Sequence, residues 1–128
     1  MVIDSSALIT IVLKEPDHEL VLDQIANADV ILIGAPTLLE TAIVLSGRLM
    51  QDARPMLAML VRRLHIQVVG FTEDHYEAAS DAFLLYGKGL YPAALNFGDC
   101  MTYAVAKLSG LPLLYTGGDF SQTDIMSV

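Results

Sequence analysis

Short apolar runs alternate along this chain with longer stretches in which apolar residues recur every three or four positions. The runs are Val2-Ile3 and positions 30–33, 66–69 and 112–115, rich in β-branched and leucine side chains and bounded by polar or turn residues, so each reads as a strand. Between them the helical spacing predicts a helix over 7–13 capped by Ser5 or Ser6, and a second over 17–27 with Leu20, Val21 and Ile25 inward. A third spans 38–50, capped by Thr37, with Leu38, Ala42, Leu45 and Leu49 on the core face and Glu40 in the first turn. Pro55 opens a fourth helix that runs to about Leu64. Thr72 caps a fifth, with Glu73 and Asp74 in its first turn, where the helix dipole favours them. Gly87-Lys88-Gly89 ends it.

The stretch 90–98 is apolar without period, as expected of a loop packed against a site wall or a partner. From Asp99 onward Met101, Ala104, Val105 and Leu108 return to helical spacing, and Gly110 stops that helix. Thr116 to Phe120 form a tight turn, and 121–128 is expected to add a short edge strand through Ile125. Strands alternating with helices imply one α/β domain over 1–128, with a mainly parallel sheet of four to five strands and helices on both faces. Right-handed crossovers bring the carboxyl ends of the strands to one edge, where ligands of such sheets bind.

Composition narrows the chemistry. Hydrophobic residues make up 54% and charged residues 17%, against about 45–50% and about 25% in ordinary domains. That surplus suits a surface covered by a partner or a second copy. Seven basic and fifteen acidic residues give a net charge of -8, so nucleic acid would not be held by counterion release alone. A single cysteine, Cys100, rules out an internal disulfide and fits a reducing compartment. No apolar run is long enough to cross a membrane, and Met1-Val2-Ile3-Asp4 lacks the pattern of a signal peptide, so a cytoplasmic location is expected.

Four acids fall at the edge where the strands end. Asp4 closes the first strand, Glu40 follows the second, Asp99 opens a helix, and Asp119 lies in the turn after the fourth strand. Alone, each has an ordinary role as a cap or a turn residue. Together they would repel and raise one another's pKa values, and a divalent cation resolves that repulsion. Oxygen-only ligands suit Mg²⁺, with Mn²⁺ as a substitute. The helix N-terminus favours an ionised Asp99. His18, His65 and His75 have no zinc-like spacing, and Ser5 and Ser6 have no histidine near them in sequence. Arg48, Arg54 and the Arg62-Arg63 pair are the cations available to grip a backbone phosphate.

These residues resemble a known family. Met1-Val2-Ile3-Asp4-Ser5-Ser6-Ala7, Leu39-Glu40, the stretch from Pro92 to Cys100 with Asn96-Phe97-Gly98-Asp99, Tyr103-Ala104-Val105-Ala106, and Leu113 to Ile125 with Gly118-Asp119-Phe120 are similar to the PIN-domain ribonuclease toxins of VapC type, from bacterial toxin–antitoxin modules. The similarity spans the whole chain. It implies a PIN-like α/β/α sandwich and a Mg²⁺-dependent endoribonuclease that acts on RNA, forms a homodimer and is held by a cognate antitoxin. Carried over by motif, Asp4, Glu40, Asp99 and Asp119 are the catalytic and metal-binding acids, Thr116 a supporting hydroxyl, and Asp124 a peripheral supporting acid. Gly118 stands where relatives often carry Asn or Asp, which leaves fewer polar groups beside Asp119. Two other classes share an acid cluster at a strand edge. A receiver-like or phosphatase domain that phosphorylates an Asp would need a lysine at that edge, and neither Lys88 nor Lys107 is well placed. A catalytically silent partner-binding module would not need four intact acids.

Overall fold

The computed structural model describes residues 1–89 and 91–128; of the apolar stretch 90–98, Leu90 lies outside the described residues. The chain runs β1 (Val2–Ile3), α1 (Ser5–Val12), α2 (His18–Ala26), β2 (Leu32–Gly34), α3 (Ala35–Leu49), α4 (Arg54–Arg63), β3 (Gln67–Val69), α5 (Glu73–Tyr86), α6 (Phe97–Ser109) and β4 (Leu113–Leu114). All four strands are parallel, in the order β3-β2-β1-β4, with Val2 paired to both Leu32 and Leu113. The chain therefore travels outward from β1 through β2 to β3 and returns to the other side of β1 with β4. The order reverses at β1, the place in an open parallel sheet where two crossovers diverge and leave a crevice.

Successive strand residues point to opposite faces, and here they enter two separate cores. Ile3, Ile33 and Leu114 pack with Leu8, Val21, Ile25, Leu57 and Ile66 on one face. Val2 and Leu113 pack with Ala82, Leu95, Tyr103, Val105 and Phe120 on the other. Helices α1, α2 and α4 cover the first face, and α5 and α6 the second, which gives the expected α/β/α sandwich.

Several expected boundaries shift, each for a local reason. Asp4 itself caps α1, accepting a hydrogen bond from the Ser6 backbone N–H, so the helix begins at Ser5. Pro36 is tolerated inside the first turn of α3 because its missing N–H has no partner there anyway. That helix therefore starts directly after Gly34, and Thr37 is a buried helix residue rather than the cap. Glu40 consequently falls in the second turn, not the first. Leu20 is 58% exposed, because only Val21 and Ile25 of α2 reach the core. Thr72 does cap α5, in a reciprocal box with His75. Residues 121–128 form no strand; a single bridge joins Leu113 to Ser127. There the Leu113 N–H donates to the Met126 carbonyl and the Val128 N–H to the Leu113 carbonyl, and Asp124 fastens the tail further through its side chain (below).

The candidate acidic site

Asp4 emerges from the end of β1 at the switch point. Its Oδ2 accepts hydrogen bonds from the Ser6 N–H at 3.0 Å and the Ser6 hydroxyl at 2.7 Å. Its Oδ1 accepts from the Thr102 hydroxyl on α6 at 2.8 Å. The carboxylate is buried, with 4% of the residue exposed. Burial of a charge without partners is costly, and these three donors offset it.

Glu40 reaches the same place from α3. The Ser5 hydroxyl donates to its Oε1 at 2.6 Å. Its carboxyl group meets Gly98 through one oxygen, so a Cβ added at Gly98 would sit 2.9 Å from Glu40 Cδ and nearer still to Oε2. Glycine at that position is what allows the carboxylate to approach the start of α6. Gly34 serves a matching purpose at the end of β2, where an added Cβ would meet Val105 Cγ2 at 2.9 Å and push α6 off the sheet.

Asp99 is the third residue of α6. It forms a capping box with Asn96: Asn96 Oδ1 accepts from the Asp99 N–H at 2.9 Å, and Asp99 Oδ2 accepts from the Asn96 N–H at 3.0 Å. The helix thus starts at Phe97 with Asn96 as its cap, and Asp99 keeps its second oxygen for other work. Burial pushes the Asp99 carboxyl up to about 6. The Asn96 hydrogen bond opposes that rise, and the charges of Asp4, Asp119 and Glu40 add to it. The helix N-terminus was expected to keep this acid ionised. Its effect is typically about 0.3–1 kcal/mol, too small to outweigh burial among three like charges.

Asp119 is exposed in the turn after β4, beside Phe120, whose ring is buried against Tyr115. The charges of Asp4, Glu40 and Asp119 all reach Asp99 at the switch-point edge. Thr116 supports Asp4 from the β4 side: its backbone N–H donates to Ser6 Oγ at 3.1 Å, and its hydroxyl pairs with that of Thr10 at 3.2 Å. Asp124 is elsewhere. It accepts from Tyr103 at 2.7 Å and pairs with Lys107 at 2.6 Å, a turn or two along α6 from Asp99, where it fastens the tail. Sequence reasoning took Thr37 only as a helix cap and did not single out Thr102, yet their buried hydroxyls face each other at 2.9 Å behind Asp4. It weighed Ser5 only as a helix cap or nucleophile, whereas Ser5 holds Glu40.

The ion pairs among the described residues join Arg48 to Glu15, Arg54 to Asp52 and Lys107 to Asp124; none neutralises the four acids. Among the described residues, no three His, Cys, Asp or Glu side chains are gathered closely enough to hold an ion as they stand. Asp4, Glu40, Asp99 and Asp119 are hard oxygen donors that none of these ion pairs offsets. That donor set suits Mg²⁺ or Mn²⁺ and not the softer thiolate or imidazole metals. The Cys100 thiol is buried and held protonated by that burial and by Asp99, so it offers neither a metal ligand nor a nucleophile.

Residues 1–126 match the family model described as the PIN domain. Ribonuclease VapC36 of Mycobacterium tuberculosis is 45% identical over 126 residues, covering 98% of this chain and 91% of that protein. The chain belongs to the PIN-domain family, among its VapC ribonucleases. Solved PIN structures share its fold. The crystal structure of M. tuberculosis VapC20, a toxin that cleaves the sarcin–ricin loop, superposes with a TM-score of 0.76 at 23% identity, over 99% of this chain and 97% of that one. A toxin–antitoxin complex from Klebsiella pneumoniae superposes at 0.73 and 18% identity, over 99% and 95%.

Proposed function

We propose that this chain is a divalent-metal-dependent endoribonuclease and the toxin of a toxin–antitoxin pair. One observation carries the chemistry: Asp4 and Asp99 are buried carboxylates, Glu40 closes on Gly98 beside Asp99, and none of the ion pairs among the described residues offsets them. A group of acids so arranged binds protons more tightly than it should unless a cation replaces them. Asp4 and Asp99 would hold a Mg²⁺ or Mn²⁺ ion, with Glu40 and Asp119 completing the set. When bound, such an ion supplies positive charge against the charge developing at a phosphodiester and acidifies a water molecule. Glu40, steadied by Ser5, accepts a hydrogen bond from the attacking water and orients it. Asp119, exposed at the rim, is the acid nearest to incoming RNA. The names of the VapC relatives support ribonuclease activity, and the Klebsiella complex supports an antitoxin partner.

The partner surfaces follow from the apolar surplus. A groove between α3 and α4 is lined by Leu38, Leu39 and Leu57 together with Arg54 and Arg62, which fits an acidic amphipathic segment such as an antitoxin tail. A second groove, with Phe83, Leu84 and Phe97, fits another copy of the chain. Sedimentation of the purified chain as a monomer would remove the homodimer.

The deciding experiment is cleavage of a labelled RNA by the purified chain with Mg²⁺, with Mn²⁺ and with EDTA. Wild-type protein is expected to cut with either metal and not with the chelator, and Asp4→Asn and Asp99→Asn to lose activity. Equal cleavage by both variants sinks the site assignment. Cleavage undiminished in EDTA sinks the metal.

A further inference from the structure

Behind Asp4 the core contains hydroxyls where apolar side chains would be the default. Thr37 is 2% exposed and Thr102 1%, one on α3 and the other on α6. A hydroxyl in such a place costs free energy unless it is hydrogen-bonded. Thr41, the third buried threonine nearby, satisfies itself within its own helix by donating to the Thr37 carbonyl at 2.8 Å. Thr37 and Thr102 do not. They pair with each other across the helix interface, 65 residues apart in sequence.

Proton counting fixes the direction of this pair. An ionised carboxylate only accepts, so Thr102 spends its one hydroxyl proton on Asp4 Oδ1. Thr102 Oγ1 can then only accept from Thr37, so Thr37 donates. Lone-pair counting fixes the other side. A carboxylate oxygen has two acceptor sites. Both sites of Asp4 Oδ2 are taken by Ser6, through its N–H and its hydroxyl. The one acceptor site left on Asp4 is on Oδ1, the oxygen that Thr102 holds.

We propose that Thr37 and Thr102 are positioning residues: a one-way hydroxyl relay, Thr37 to Thr102 to Asp4, that turns the single free lone pair of Asp4 Oδ1 toward the acidic site, so that Asp4 engages a cation through that oxygen alone. This rests on the metal-dependent reading above. Neither threonine touches substrate; both act through Asp4.

The test is calorimetric titration of Mn²⁺ into the full chain, alongside RNA cleavage and a thermal melt in EDTA. Wild type is compared with Thr102→Val, Thr102→Ser, Thr37→Val and the double valine variant. Partners behind a ligand are commonly worth about 10–100-fold in metal affinity or activity. Thr102→Val is expected to weaken Mn²⁺ about tenfold or more, and Thr102→Ser, which keeps the hydroxyl, to stay within about threefold of wild type. Thr37→Val should cost about threefold alone and nothing further once Thr102 is valine, because the relay is already cut. A purely structural role would lower the melt but leave affinity unchanged and the double variant additive. Folded Thr102→Val with wild-type Mn²⁺ affinity overturns the relay. If Thr102→Val does not fold, Thr37→Val decides, and unchanged affinity there overturns it equally. Wild-type protein that takes up no Mn²⁺ overturns the metal-dependent reading and the relay together. Wild type that binds and cuts beside unaffected variants overturns the relay alone.

Discussion

Replacing Asp99 by asparagine should separate what this acid does for the fold from what it does for the reaction. The Asp99 carboxyl stands at about 6 in the folded chain against an ordinary 3.8. A folded state that binds a proton more tightly than the unfolded chain does is favoured at low pH. The cost of ionising Asp99 is absent below pH 3.8, grows as pH rises, and is complete above about 6. Two pH units correspond to ~3 kcal/mol at full strength, and solvent at the open edge reduces this to ~1.5 kcal/mol. Asparagine carries no such cost, and its side-chain oxygen can still accept from the Asn96 N–H. In EDTA at pH 7.5 the asparagine variant should therefore melt above wild type, by ~5 °C for a domain of this size. The gap should halve to ~0.7 kcal/mol near pH 5 and nearly vanish by pH 4. Added Mn²⁺ should reverse the order, raising the wild-type melt and leaving the variant where it was. Calorimetric or fluorescence melts at three pH values check this. A variant that melts below wild type at pH 7.5 without metal, or a gap that ignores pH, refutes the claim that uncompensated charge gathers at this site.

Two further substitutions probe the surroundings. Gly98→Ala places a methyl group on the Glu40 carboxyl, the movable end of a flexible side chain; RNA cleavage should fall at least about tenfold while the melt changes by less than ~1 kcal/mol, since alanine is the better helix former. Asp124→Asn removes the half-exposed pair with Lys107, so the expected cost is below ~1 kcal/mol and cleavage should stay within about twofold of wild type; a large loss of cleavage would return Asp124 to the site.

The four acids were legible because each stands at a junction the hydrophobic pattern marks: the end of β1, the helix after β2, the start of α6 and the turn after β4. Parallel strands do the rest, since they put all such junctions on one edge. What could not be read are pairings between side chains on separate elements. Ser5 to Glu40 spans 35 residues, and Thr102 to Asp4 spans 98. A serine or threonine within a helical pattern looks the same whether its hydroxyl faces water, its own backbone or a distant carboxylate. Thr37 was misread for a related reason: Gly34-Ala35-Pro36 has the composition of a turn, yet proline fits a first helical turn as well as a loop. The tail went the other way. Ile125 suggested a strand, but the polar residues Ser121 to Asp124 interrupt it, so only one bridge forms, at Ser127, and Lys107 and Tyr103 hold Asp124 beside it.

The position of β1 has a consequence for the order in which a newly made chain acquires its activity. β1 is a central strand of the sheet, and one of its two edges stays open until Leu113 and Leu114 are made and pair with Val2 and Ile3. Asp119 is made later still. Asp4 and Asp119 lie on segments that meet only once β4 has paired with β1, so the acidic edge is not assembled before then. A nascent chain halted before Leu113 is expected to show neither cooperative melting nor RNA cleavage.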